Sequence, residues 1–251
     1  MKNLLTLFLI FLLSTLPAAA QSFKQKQLRY ERVRAAFTQK EEGLKKLCLE
    51  MGFSYPPKEL FIRIFKREKL LEVWAREGAG KYRSLKSYPI CSSSGELGPK
   101  RKRGDLQVPE GFYHINDFNP NSNFYLSLGV SYPNRSDQIL KEGRDPGGAI
   151  YIHGSCVTIG CVPIEDEGIK ELYALAVEAT AAGQRQIPVH IFPCRLDSAG
   201  LKSLEALYGA NSKLLEFWKN LALGFSWFEE KRWPPKVSVD SKGRYVFCPA
   251  R

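Results

Sequence analysis

Tyr151-Ile152-His153-Gly154-Ser155-Cys156-Val157-Thr158-Ile159-Gly160-Cys161 is the stretch on which the reading of this chain turns. An apolar, strand-like entry ends at His153-Gly154, and Cys161 follows seven residues past Gly154, directly after Gly160. A base-capable imidazole and a thiol therefore share one short loop. The two glycines let backbone approach a ligand closely. That combination suits cysteine acyl transfer, with Cys161 as nucleophile and His153 as its base.

A thiol in water has a pKa near ~8.5 and needs help to become a thiolate. His153 can accept its proton, and a helix expected from about Glu165 points its positive end back toward the loop. The Gly154 carbonyl can hold the far ring nitrogen and fix the tautomer. Backbone N–H groups from Thr158, Ile159, Gly160 and Cys161 can form an oxyanion hole, where each donor is typically worth ~3 kcal/mol in a transition state. The bland reading of Cys161 is a small buried residue; the turn-like neighbourhood argues against it. Tyr113, His114 and Ser155 are candidate substrate contacts. A metal reading takes His153, Cys156 and Cys161, with His190 or Cys194 as fourth ligand. Those spacings match no common zinc pattern, so no metal is expected. Cys156 reads as structural or as half of a disulfide.

Upstream of the loop the period is two. Leu60, Ile62 and Ile64 alternate with Phe61, Arg63 and Phe65; Leu71, Val73 and Ala75 alternate with Glu72, Trp74 and Arg76; Tyr82 to Ile90 is a third strand. This is a β-meander. Residues 91–111 are irregular and carry Lys100-Arg101-Lys102-Arg103, read as a solvated charge run or a rim that attracts acidic substrate. Strand character returns at Val108 to Ile115, Phe124 to Val130 and Ala149 to Ile152. After Cys161 a helix begins near Glu165, buries Ile169, Leu172, Tyr173 and Ala176, and stops at Gly183. Ile187 to Phe192 is a further strand. Residues 24–51 show helical spacing, ended by Gly52 and Tyr55-Pro56-Pro57. The tail from Leu201 to Phe228 is helical and aromatic, and Val237 to Phe247 reads as a hairpin around Asp240 to Gly243. The class is mostly β with helices, α+β.

Residues 1–20 read as an export signal: Lys2, an apolar run from Leu4 to Leu13, then Ala18-Ala19-Ala20. The apolar run is short for a membrane span. The organisation is then a 21–56 helical extension, a 57–195 catalytic domain and a 196–251 helical and hairpin extension. Apolar residues make up 44% of the chain and aromatics 12%, enough for a real core. The formal charge of +11 favours anionic surfaces. An exported address and a charge run without aromatic partners argue against nucleic acid and leave envelope lipids or carboxylate-rich wall polymer. Six cysteines with one kept reduced as a nucleophile allow at most two bridges, and no spacing dictates the pairs.

His153-Gly154 through Thr158-Ile159-Gly160-Cys161 resembles the signature of the YkuD-type L,D-transpeptidases. The short His-to-Cys spacing and Val162-Pro163-Ile164-Glu165-Asp166-Glu167-Gly168-Ile169 resemble its YafK-type branch. Phe61 to Phe65, Tyr88-Pro89-Ile90-Cys91, Gly95 to Lys100 and Pro109 to Tyr113 are similar too. The resemblance implies an L,D-transpeptidase-like β-sandwich with helical N- and C-terminal extensions, placed in the periplasm or cell envelope. It implies an acyl-enzyme on peptidoglycan stem peptides: Cys161 attacks the carbonyl at the L-centre of a diamino acid, His153 protonates the leaving D-residue, and an amine resolves the thioester. Water as acceptor would give hydrolysis, including release of a wall-attached lipoprotein. Many members carry a His two residues before the Cys and an Arg or Asn two after it. This chain has Ile159 and Pro163 there, so the acceptor stays open between amine and water. A wall-binding module with a vestigial site is the remaining alternative. No cofactor is implied.

Overall fold

The computed structural model describes residues 22–248, so the expected export segment lies outside the described residues. Two helices open it, α1 (Phe23–Gln27) and α2 (Glu31–Glu50), where the sequence spacing predicts one. Tyr30 takes an extended backbone and restarts the helix. The Arg34 guanidinium donates to the carbonyls of Leu28 and Arg29, satisfying acceptors that the break exposes. The α2 stripe Val33, Ala36, Phe37, Leu44 and Cys48 is buried.

The meander follows as β1 (Glu59–Phe65), β2 (Leu70–Arg76) and β3 (Arg83–Pro89), paired antiparallel in order. Then come β4 (Gly111–Asn119), β5 (Ser127–Val130), α3 (Arg135–Leu140), β6 (Tyr151–His153), β7 (Val162–Pro163), α4 (Glu165–Ala181) and β8 (Pro188–Phe192). The chain closes with α5 (Ser198–Tyr208), α6 (Ser212–Lys231) and the hairpin β9 (Lys236–Val239) and β10 (Tyr245–Cys248). The short helix α3 is new relative to the sequence reading. Its signal is Asn134, whose side chain caps the Asp137 N–H while Asp137 returns a bond to the Asn134 N–H.

Eight strands form one mixed sheet in the order β3-β2-β1-β8-β4-β5-β6-β7. The sheet curls through β4. Its Gly111 to His114 half pairs with β8, its Ile115 to Asn119 half pairs with β5, and the register shifts between Ile115 and Asp117. Such a bulge bends and twists a strand, which lets one strand serve both halves. The mostly-β architecture flanked by helices is as expected, realised as a single curled sheet.

The faces divide the core. On one face Ile62, Ile64, Leu128, Ile152 and Val162 pack with α4 residues Leu172, Leu175 and Ala176 and with the α2 stripe. On the other, Phe65, Phe112 and Phe192 pack with Leu204, Trp218, Leu221 and Phe225 of the C-terminal helices. Each such aliphatic or aromatic side chain contributes roughly 1.5–3 kcal/mol by leaving water. Beneath the 91–110 segment lies a buried polar knot. Lys66 Nζ meets Glu110 Oε1 at 2.9 Å and donates to the Gly98 and Val108 carbonyls. Glu110 also accepts from the Gly98 N–H and from Trp218 Nε1. The knot ties both ends of that segment to β1 and α6.

Candidate active site

β6 ends in His153, and β7 begins one residue after Cys161. The two strands are parallel neighbours, Ile152 beside Val162 and His153 beside Pro163. One step back along that register stands Cys161 beside Tyr151, so Cys161 and His153 are diagonal neighbours. Ile152 and Val162 point into the core. Strand alternation therefore sends Cys161 and His153 together to the opposite face.

His153 is 1% exposed and stacks on Phe124 with ring centroids 4.6 Å apart. Its Nδ1 lies 2.5 Å from the Gly154 carbonyl oxygen. A carbonyl can only accept, so Nδ1 carries the proton and Nε2 carries the lone pair. Nε2 is buried and has no hydrogen-bond partner among the described residues. Burial lowers the His153 pKa from its ordinary value, and the Gly154 carbonyl partly opposes that. Cys161 is half-buried, its Sγ 3.6 Å from the Ala149 carbonyl. Burial raises its thiol pKa; the Tyr151 N–H and the charge of Lys100 pull in the other direction. Both shifts favour a resting neutral pair, thiol and imidazole, over the ion pair expected from sequence. The helix field helps less than expected as well. Glu165, Asp166 and Glu167 fill the first turn of α4 and offset its positive end.

The loop is shaped by close contacts. A Cβ at Gly154 would sit 2.5 Å from Asp166 Oδ1 and 2.7 Å from the Phe124 carbonyl oxygen, so only glycine fits. Asp166 accepts the N–H of Ser155, which has positive φ and is exposed at the rim. Gly160 has φ +133° and lies against the Gln107 carbonyl. Its N–H donates to Thr158 Oγ1, and Thr158 Oγ1 donates to the Cys161 carbonyl. The Gly160 N–H is thus already engaged, which narrows the expected oxyanion donors to Thr158, Ile159 and Cys161. Val157 and Ile159 are exposed, at 56% and 78%.

A disulfide joins Cys91 to Cys156 across 65 residues and staples the 91–110 segment to this loop. Cys48, Cys161, Cys194 and Cys248 are free thiols. Cys156 is therefore not available to a metal with His153 and Cys161. His190 and Cys194 lie apart from this loop, in the C-terminal aromatic packing. The one three-residue cluster of ligand type among the described residues is Cys91, Cys156 and Glu165, and two of its members are bonded to each other.

One expected substrate contact is corrected. Tyr113 is 5% exposed and its hydroxyl donates to Asp137 Oδ2 at 3.0 Å, so it is a core residue. Asp137 also binds the Asn134 N–H and Arg101, and burial pushes its carboxyl up to about 6. His114 alternates with Tyr113 on β4 and faces the other way, bonded through Nδ1 to Ser131 Oγ beside Pro188 and Pro235. The Lys100 to Arg103 run is also not simply solvated. Lys100 is 5% exposed and binds Asp105, and Arg101 binds Asp137 and covers the Phe217 ring. Lys102 and Arg103 are the two that face solvent. The alternation of strand β4 held the signal for Tyr113 and His114: neighbouring positions cannot both face one cleft.

A curled mixed sheet with a His–Cys loop on paired strand ends defines a class of sheet-built domain suited to thiol acyl transfer. Residues 60–191 match the YkuD family, the L,D-transpeptidase catalytic domain, and the chain belongs to that family. YafK of Escherichia coli (strain K12), whose name assigns it to the L,D-transpeptidases, is 38% identical over 189 residues, covering 74% of this chain and 73% of that protein. Among solved structures, the helical cell shape determining protein Pgp2 from Campylobacter jejuni is similar at 19% identity and TM-score 0.44, over 78% of this chain and 80% of that one. L,D-transpeptidase 1 from Mycobacterium tuberculosis is similar at 16% identity and TM-score 0.31, over 53% and 61%. No helix among the described residues is long and apolar enough to cross a membrane.

Proposed function

We propose that this protein is an exported, cysteine-dependent L,D-transpeptidase of the cell envelope that acts on peptidoglycan stem peptides through a thioester on Cys161. The observation that carries the reading is the state of His153: one ring nitrogen tied to the Gly154 carbonyl, the other buried with a free lone pair on the face it shares with Cys161. A buried imidazole nitrogen left unpaired costs free energy, and a base awaiting a proton accounts for that cost.

The Cys161 S–H proton passes to His153 Nε2 as sulfur attacks the donor carbonyl carbon. The oxyanion that forms is met by loop N–H groups. The amide C–N bond then breaks, the nitrogen leaves with the proton held by His153, and a thioester remains. An amine acceptor attacks the thioester carbon, gives its proton to His153, and sulfur leaves as thiolate and recovers that proton. Because the resting pair is neutral, proton transfer accompanies attack, and substrate binding must exclude water for the transfer to be efficient.

Hydrolysis is the second reading, favoured by one observation. Ile159 projects 78% exposed beside the nucleophile and offers no polar group to orient an amine. Water then competes for the thioester, and the products would be shortened stem peptides or a freed wall-attached lipoprotein.

Incubation with purified sacculi, comparing the wild type with Cys161→Ala, tests the proposal. New crosslinks support transfer, and freed peptides or lipoprotein support hydrolysis. Identical sacculi in both samples, with no adduct on Cys161 by mass spectrometry, would overturn it.

A further inference from the structure

Away from Cys161, three adjoining cavities of about 410, 600 and 510 Å³ run along α6 between α3, the hairpin tip and the segment from Gly98 to Arg101. The first shares Leu140, Lys213 and Phe217 with the third, and Glu216, Asn220 and Arg244 with the second, so they form one groove. Phe217 and Leu140 supply an apolar floor.

The groove's charges are unevenly satisfied. Arg101 is spent on Asp137, Lys219 on Glu205 and Arg244 on Asp240. Lys213 and Lys242, on α6 and the hairpin, have no ion-pair partner among the described residues, and neither has Glu216 between them. The frame is rigid. Asp240 accepts from the Lys242 and Arg244 N–H groups, and Ser136 Oγ donates to the Gly243 carbonyl at 2.6 Å. Leu140 packs where a Gly243 Cβ would stand.

We propose that this groove is a second binding site, distinct from Cys161, for a carboxylate-bearing peptide strand; that the strand belongs to the wall polymer rests on the function proposed above. Lys213 and Lys242 meet carboxylates, Glu216 meets an amine, and Phe217 and Leu140 carry the intervening aliphatic groups. Three groove carboxylates, Glu142, Glu216 and Asp240, disfavour a uniformly anionic polymer such as nucleic acid. A concave, rigid site suits a strand better than a flat lipid surface. The groove begins on the Gly98 to Arg101 stretch, part of the segment that the Cys91–Cys156 bridge ties to the active loop. A strand held there keeps the enzyme beside polymer it can process.

The test is co-sedimentation with purified sacculi in a Cys161→Ala background, with and without Lys213→Glu and Lys242→Glu. Exposed ion pairs are individually weak, so reversing both charges together should weaken binding about tenfold, with an unchanged melting temperature. Lys213→Gln with Lys242→Gln should fall between. In the otherwise wild-type enzyme the reversal should leave KM for a soluble muropeptide unchanged. Unchanged sedimentation overturns the inference. So does a loss seen only on phosphatidylglycerol vesicles, or a Gln variant that binds as poorly as the Glu variant. If wild type turns over no substrate yet sediments in a groove-dependent way, the catalytic reading fails and the groove stands.

Discussion

At the scale of single residues, the proposed chemistry rests on which form of the His153–Cys161 pair is populated at rest. Burial moves the two pKa values apart, His153 below its ordinary value and Cys161 above its own, and each shift disfavours charge. Without substrate, alkylation of Cys161 by iodoacetamide should climb with pH to beyond 9, as a plain thiol ionises. Fast alkylation already at pH 6 would mean a resting ion pair and would contradict this arrangement. With substrate, kcat/KM should hold across neutral pH and fall only below 6.5, as the imidazole takes a proton from solvent. His153→Gln should lower kcat by about 10²–10⁴-fold, the usual worth of a general base, with thiol content by titration unchanged. That these two residues share one loop was legible in the sequence, because spacing and glycines are local properties. Tyr113 was misread because its partner Asp137 lies on a short helix that sequence periodicity does not reveal.

At the scale of elements, the β-meander, the start of α4 at Glu165 and the terminal hairpin were legible, each marked by its own period or turn residues. The curl through β4 and the 91–156 disulfide were not, since both depend on which distant strands become neighbours. The docking of α6 offers a test. Gly224 has no room for a side chain: an added Cβ would lie 2.5 Å from Phe112 and 2.6 Å from Phe247. In a free helix Gly→Ala gains about 1 kcal/mol, whereas overpacking a core costs typically 1–3 kcal/mol. Gly224→Ala should therefore be a net loss of up to about 2 kcal/mol, read as a lower urea midpoint. A gain would mean that α6 is held mainly by its own propensity.

Across the whole molecule, the two halves of the sheet differ in what covers them, with the proposed acyl chemistry at the β6–β7 edge and an aromatic, C-terminal layer over β1, β8 and the first half of β4. That layer contains His190, 3% exposed among Phe61, Phe112 and Phe192, its Nδ1 unpaired. Burial and the nearby Arg63 charge push its pKa down to about 3. The unfolded chain therefore binds a proton that the folded one refuses between about pH 6.5 and 3. Stability from this residue is full above 6.5 and declines by roughly 1.4 kcal/mol per unit as pH falls through that window. Denaturation from pH 6.5 to 4.5 should show this slope in the wild type and a shallower one in His190→Leu; equal slopes would assign the acid sensitivity elsewhere. The bridge between Cys91 and Cys156 sets the chain a different problem. In the unfolded chain Cys161 is only five residues from Cys156, while the native partner is 65 away. Short loops close more readily than long ones. Oxidation before the strands assemble would couple the wrong sulfurs and consume the nucleophile, so a productive molecule must either zip its sheet first or have its early errors reshuffled.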